Sequence, residues 1–448
     1  MVVSPIDYRY GRNEVKEIFS EERRILYMLQ VEASLARAEA ELGIIPKKHA
    51  DIISKHANLE DVRLERVREI EGEIGHDVMA LVRALSEVSG EAGGYVHLGA
   101  TSNDILDTAT ALQLKSFYDY LESDIRNLSS ALYEKARQHI NTVMIGRTHG
   151  QHALPITFGL KMAVYLAEML RHSERVEESR KRVIVGKFMG AVGTGAALGK
   201  DTLRVQARLM EILGIREEEG PTQIVGRDRF VEYVSVIAGI ATTLEKLATE
   251  IRNLQRPEIG EVQEPFDEKR QVGSSTMAQK INPVVSENVA SLARIIRGFL
   301  IPMHESAILW HERDLTNSAA ERFIIPYVSI LIDDILAKMT GVIEGLKVNE
   351  EAMLKNVMSD DLSLGEAYLM ALVKSGYGRQ EAHEIVRKAS MEVRRKGGGL
   401  KERVEEIAGS KIKGISPLDY TGNAVAITKS ILERYEKRYS RRGAGKKG

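Results

Sequence analysis

Apolar residues recur along most of this chain at steps of three and four, the spacing that gathers them on one face of a helix. Ala111, Leu114, Tyr118, Leu121, Ile125, Leu128 and Leu132 alternate the two steps without a break. So do Phe230, Tyr233, Ile237, Ile240, Leu244, Leu247, Ile251 and Leu254. An apolar seam of period 3.5 sustained over such lengths predicts long helices packed side by side in a left-handed bundle. These faces are longer than one compact domain needs, so other copies of the chain are expected to complete the bundle. Ahead of the seams, Glu21 to Leu42 reads as a helix stopped by Gly43. A second helical stretch runs from about Val62 to Val88, interrupted at His76-Asp77. Gly93-Gly94 and the segment to Gly99 break the periodicity. Beyond Val348 the helices shorten, and Gly376, Gly378 and Gly397-Gly398-Gly399 interrupt them. The pattern predicts an all-α chain: an N-terminal helical domain over 1–98, a central bundle over 99–346, a smaller helical domain over 347–437 and a basic, flexible tail over 438–448.

Composition changes this picture little and narrows the chemistry. At 448 residues there is room for two or three sizeable cores. Lys plus Arg number 63 and Asp plus Glu 64, so no global field recruits nucleic acid or a basic partner. Substrate charge has to be read locally. The absence of cysteine removes disulfides, thiolate metal sites and a cysteine nucleophile, and fits an intracellular protein. No run approaches the roughly 18 apolar residues of a membrane span, and the first residues lack an apolar leader core. The expectation is a cytoplasmic protein acting on small molecules, with no nucleic acid or membrane partner.

The densest chemistry lies in Gly273-Ser274-Ser275-Thr276-Met277-Ala278-Gln279-Lys280-Ile281-Asn282-Pro283, a small polar loop that runs into an amphipathic helix. Asn282 suits an N-cap and Pro283 the first turn, so Lys280 beside a helix N-terminus is arranged to hold an anion or a developing negative charge. Elsewhere the residues leave two readings open. Arg9-Tyr10 with Arg12 reads as a surface segment or as a grip on phosphate or carboxylate. His97-Leu-Gly-Ala-Thr101-Ser102-Asn103-Asp104 reads evenly as a capping turn and as donors aimed at a carboxylate. His149 and His152 lie in Gly146 to Pro155, a loop between two long helices. A metal site lacks a third ligand there, whereas one histidine as general acid or base suits neutral pH, with Glu287 to orient it. Gly190 to Gly199 fails the dinucleotide spacing and reads as a close-packed turn. Gln223 with Arg227-Asp228-Arg229 heads the second seam. Trp310 to Arg322 concentrates charge either on a solvated face or around a pocket, with Arg313, Ser318 and Arg322 as anion clamps.

Taken together these stretches resemble a known family. The 273–283 loop resembles the GSSxMPxKxNP signature of the fumarase/aspartase superfamily. His76-Asp77, His97 to Ser102, Gly-Arg-Thr-His149, Gln223 with Arg-Asp-Arg, and Trp-His-Glu-Arg313-Asp come in the order of its adenylosuccinate lyase family. The resemblance spans nearly the whole chain. It implies three all-helical domains, a homotetramer with shared active sites, and β-elimination of fumarate from adenylosuccinate and from the succinyl carboxamide ribotide of purine synthesis. It also implies Ser274 as general base and His149 as general acid, partnered by Glu287. Lys280, Asn282, Thr101, Ser102 and Gln223 are implied to hold the succinyl part, and Ser275 to bind substrate. Arg9, Tyr10, His76, Asp77, Arg313, Ser318 and Arg322 match the nucleotide and phosphate contacts. No metal or organic cofactor is implied. Ala278 replaces the usual loop proline, Gln279 a residue often His or Tyr, and Gly75 a frequent basic residue. The alternatives are a sister lyase for argininosuccinate, aspartate or malate, which has no use for the phosphate clamps, and a non-catalytic helical scaffold.

Overall fold

The computed structural model describes residues 3–267, 276, 277, 279–359 and 361–444. Ser274 and Ser275, the expected base and its neighbour, lie outside the described residues. Both seams form helices, Ser102–Gln138 and Asp228–Leu254, and every seam residue is buried. Three further long helices, Phe158–Val183, Val284–Gly298 and Ser318–Gly345, accompany them.

By compactness the chain divides into two units, each drawn from separated segments. The first comprises Met1–Arg126, His172–Leu244 and Ser291–Ala337. The second comprises Asn127–Arg171, Glu245–Ala290 and Lys338–Gly448.

In the first unit the sequence signals act locally as their chemistry requires. Helix Glu21–Glu41 starts where Ser20 accepts the Arg23 amide (3.1 Å), and Gly43 beyond its end stands at φ +76°. The stretch from Val62 to Val88 is two helices, Leu64–Ile74 and Asp77–Ser89. Gly75 ends the first in the left-handed conformation (φ +68°), and His76 opens the second by accepting the Met79 amide at Nδ1 (3.3 Å). A side chain at position 75 would strain that turn, which gives Gly75 a structural reason. Between Gly190 and Gly199 a Cβ on Gly193 would stand 2.2 Å from the Pro221 carbonyl oxygen, so this segment is the close-packed turn its small residues predict.

The same unit buries an acid that its fold holds protonated. Glu39, two turns along from Glu32 on helix Glu21–Glu41, is fully buried, and among the described residues neither of its carboxylate oxygens has a hydrogen-bond partner. Burial, reinforced by Glu32, pushes its carboxyl up to about 8. The unfolded chain releases that proton in the ordinary carboxylate range and the folded chain only near pH 8. Stability from this group is therefore full at low pH and falls as pH rises toward 8, by about 1.4 kcal/mol per pH unit. Glu39→Gln is expected to flatten the decline between pH 5 and 8 and to raise the denaturation midpoint at pH 8. An unchanged pH profile would show that Glu39 is ionised in the fold.

The second unit adds a little sheet to an otherwise helical chain. Val143–Thr148 and Gln151–Thr157 form an antiparallel hairpin where a loop between helices was expected. Val262–Gln263 pairs with Lys347–Val348 as a second, shorter ribbon. The helix N-terminus after the signature loop also differs. Helix Val284–Gly298 begins two residues past Asn282, and its first amides are capped from a distance: Val285 and Ser286 donate to the buried carboxylate of Glu264 (3.2 and 2.7 Å). Glu264 is itself fixed through its amide to Gln255 Oε1 (2.9 Å). A charged acceptor takes up the dipole end that the sequence assigned to substrate.

Candidate active site

The expected site residues fall into two groups, one in each compact unit. In the first unit, the segment carrying Arg9 and Tyr10 is pressed onto helix Ser318–Gly345. Gly11 stands at φ +83° with room for no side chain: a Cβ would lie 2.2 Å from Ile330 Cγ2. Its amide donates to Asp334 (3.1 Å), and Ser4 bonds Tyr327 (2.6 Å). The Arg12 guanidinium then bridges Asp124 (2.7 and 2.8 Å) and Asp333 (Nε, 3.1 Å) on two helices. Burial and Asp333 push the Asp124 carboxyl upward despite Arg12. Arg12 thus serves as an anchor, and the exposed Arg9 projects from a segment whose course it fixes.

His76 and Asp77 meet two of their expected companions. Ser102 Oγ lies 3.5 Å from His76 Nε2, and Arg322 Nη2 lies 3.2 Å from Asp77 Oδ2. Thr101 is held by its amide to Asp104 (2.8 Å). Asp104 also accepts the amides of Met189 and Gly190 (both 3.0 Å) and pairs with the fully buried Lys187. One carboxylate thereby ties the Thr101 turn to the glycine-rich segment. Sequence reading gave Asp104 a place in a capping turn and gave Lys187 none.

Gln223 Oε1 accepts Arg313 Nη1 (2.9 Å). Beneath them Arg227 is almost fully buried between two carboxylates. It donates to Asp107 at 2.8 and 2.9 Å and to Glu321 at 2.9 and 3.2 Å. Burial pushes the Glu321 carboxyl up and Arg227 opposes the shift. Arg313 is held below its ordinary value by burial, with Arg227 adding to the effect. Arg227, Asp107, Glu321 and Arg313, though not Gln223, border a cavity of about 290 Å³ lined also by Arg24, Asn103, Asn317, Ser318 and Arg322. Of these, Arg24 and Asn317 have no assignment from the sequence, and Asn103 appears there only within a turn. Arg24 lies on the polar face of an ordinary amphipathic helix, so no local pattern marks it. Trp310 stands 78 % exposed on the surface.

The second unit holds His149, Lys280, Asn282 and Glu287. His149 and Gly150 form the two-residue turn of the hairpin, at φ +54° and +73°. Positive φ at both positions is the type I′ geometry that matches the twist of paired strands. Histidine is one of the few non-glycine side chains that adopt it readily. His149 is therefore presented, exposed, at the tip of a ribbon. Glu287 is also exposed, one turn into helix Val284–Gly298, and among the described residues no hydrogen bond joins it to His149. Lys280 is exposed, with its amide on the Met277 carbonyl (3.0 Å), and Gln255 donates to the Ile281 carbonyl (3.3 Å). Among the described residues no helix is long and apolar enough to cross a membrane.

Comparison with known proteins adds to this geometry. A family model described as lyase matches residues 8–298, and one described as adenylosuccinate lyase C-terminus matches residues 361–431. The chain is 47 % identical over 451 residues to an adenylosuccinate lyase of Pyrococcus abyssi, an alignment covering 99 % of this chain and 100 % of the relative. It is 41 % identical over 401 residues to that of Bacillus subtilis, covering 89 % and 91 %. Among solved structures it resembles a fumarate lyase from Mesorhizobium sp. BNC1, with TM-score 0.85, 34 % identity and coverage of 94 % and 98 %. A 3-carboxy-cis,cis-muconate lactonizing enzyme from Pseudomonas putida matches with TM-score 0.85 and 31 % identity, covering 97 % and 99 %.

Proposed function

The chain belongs to the adenylosuccinate lyase family of the fumarase/aspartase superfamily and is a lyase; on that premise we propose how its residues release fumarate from adenylosuccinate, and from the succinyl carboxamide ribotide, as a cytoplasmic homotetramer. The observation that carries the substrate assignment is the cavity bordered by Arg313, Ser318 and Arg322. A phosphate-free succinyl substrate has no use for that set. Arg9 and Tyr10 join it as further phosphate contacts, and His76 and Asp77 as nucleotide contacts.

The chemistry runs as a balanced elimination. Ser274 takes the proton from the carbon next to a carboxylate, and the electrons left behind form the double bond of fumarate. The C–N bond breaks with its pair going to nitrogen, and His149 supplies the proton that the leaving amine needs. Charge building on the carboxylate is met by Lys280 and Asn282, with Ser275, Thr101, Ser102 and Gln223 holding the rest of the succinyl group. Because Glu264 occupies the first amides of helix Val284–Gly298, the Lys280 ammonium carries this stabilisation in place of the helix end. Serine is a weak base, and its alkoxide depends on that cation and on exclusion of water. Glu287 orients His149 where copies of the chain meet, a reading supported by the exposure of both side chains. Exposed apolar residues on the long helices, among them Ile295 and Phe323, support association. The domain division is proposed as 1–98, 99–346 and 347–437.

The test follows ultraviolet absorbance of purified protein with adenylosuccinate, and fumarate release from argininosuccinate, aspartate and malate alongside. Turnover of adenylosuccinate alone is expected. Turnover of a phosphate-free substrate would make the arginines surface charges, and no turnover at all would favour the scaffold.

A further inference from the structure

Two guanidiniums of the first unit converge on a single carboxylate oxygen. Asp77 Oδ2 lies 3.2 Å from Arg322 Nη2 and 3.5 Å from Arg24 Nη2. The other oxygen of Asp77 accepts the Val78 amide (2.8 Å). Arg24 and Arg322 both line the cavity that Arg313 borders. Arg227, the fourth arginine there, is spent on Asp107 and Glu321. Arg24 and Arg322 thus share one carboxylate, and the crowding registers electrostatically: burial lowers Arg24, and Arg322 lowers it further against the pull of Asp77.

The walls of the same cavity also carry unmet polar capacity. Among the described residues Arg313 Nε and Asn103 Nδ2, both donors, have no hydrogen-bond partner, although Asn103 is 2 % exposed. Buried polar atoms left in this state are costly unless something else completes them. A cavity that gathers Arg24, Arg313 and Arg322 beside unfilled donors is complementary to a compact anion that accepts from several donors, the description of a phosphomonoester.

We propose that Arg24 is a phosphate-binding residue of this enzyme, a third guanidinium that closes on the substrate's phosphate together with Arg313 and Arg322. The assignment rests on reading the cavity as the phosphate site. Asp77 then acts as the counter-ion that keeps Arg24 and Arg322 side by side while the site is empty, and the phosphate takes over that role when it arrives. Arg24 sits 36 % exposed in the first turns of a helix capped by Ser20, outside the hydrophobic core, so its side chain can be changed without opening that core.

The experiment compares wild type, Arg24→Gln and Arg24→Lys in binding AMP, adenosine and inorganic phosphate by calorimetry, and in KM and kcat for adenylosuccinate. Wild type is expected to bind AMP far more tightly than adenosine. Arg24→Gln is expected to weaken AMP binding roughly tenfold or more, the range for a hydrogen bond to a charged group, with adenosine binding unchanged. KM is expected to rise more than kcat falls, and Arg24→Lys to recover part of the loss. If Arg24→Gln weakens AMP and adenosine equally, or weakens neither while wild type still discriminates between them, Arg24 merely supports Asp77 and the proposal fails. If wild type binds adenosine as tightly as AMP, the phosphate reading of the cavity itself falls.

Discussion

Replacing His149 by asparagine is expected to lower kcat by roughly 10²- to 10⁴-fold while leaving the protein folded, the range for loss of a positioned general acid. Asparagine is the informative replacement because it tolerates the left-handed conformation that His149 adopts at φ +54°. The turn is then preserved and only the proton donor is lost. His149→Ala is also expected to be inactive, although alanine adds backbone strain to the same hairpin. Ser274→Ala should give a comparable loss. Far-ultraviolet circular dichroism and oligomer size are expected to match wild type in each variant, because neither residue belongs to a helical seam. Normal turnover in any of them would remove that residue from its role in the elimination.

The largest effect on stability is expected at Arg227. Its guanidinium is 5 % exposed and fully engaged by Asp107 and Glu321. Arg227→Met keeps volume but leaves the buried Asp107 and the largely covered Glu321 without a cation, a change that destabilises by about 3–5 kcal/mol where such networks have been broken. Its denaturant midpoint should fall accordingly. Adding Asp107→Asn and Glu321→Gln removes the stranded charges and is expected to recover most of the loss. The comparison separates the worth of the network from the penalty of breaking it. A midpoint that Arg227→Met leaves in place would mean that the network contributes nothing net to stability.

The regular part of this architecture is written in the sequence. Leu114, Tyr118 and Ile125 alternate at steps that admit only a helix with one buried seam, and all three are completely buried. Gly43 and Gly75 likewise mark helix ends by a conformation that side chains avoid. The hairpin around His149 was less legible. Its turn is His-Gly rather than the more familiar Asn-Gly, and Gly146 and Pro155 disguise the strands as a loop. The cap on helix Val284–Gly298 was not legible at all, since Glu264 lies twenty residues upstream and reaches it only through the fold. Arg24 illustrates the same limit for function. On one helix it is a polar residue among others, and it acquires meaning only when Asp77 and Arg322 are brought to it from distant parts of the chain. Local spacing encodes elements, whereas convergence of charge depends on tertiary structure.

The Lys187–Asp104 pair has a consequence for how the protein responds to its solution. Both side chains are essentially sealed from water, so mobile ions cannot approach them closely enough to screen their attraction. Arg322 and Arg24 are 57 % and 36 % exposed and enjoy no such protection. Ionic strength therefore acts on one kind of electrostatics and spares the other. As salt rises, capture of a charged substrate weakens, while the turn that presents Thr101 keeps its shape and the enzyme regains its affinity on dilution.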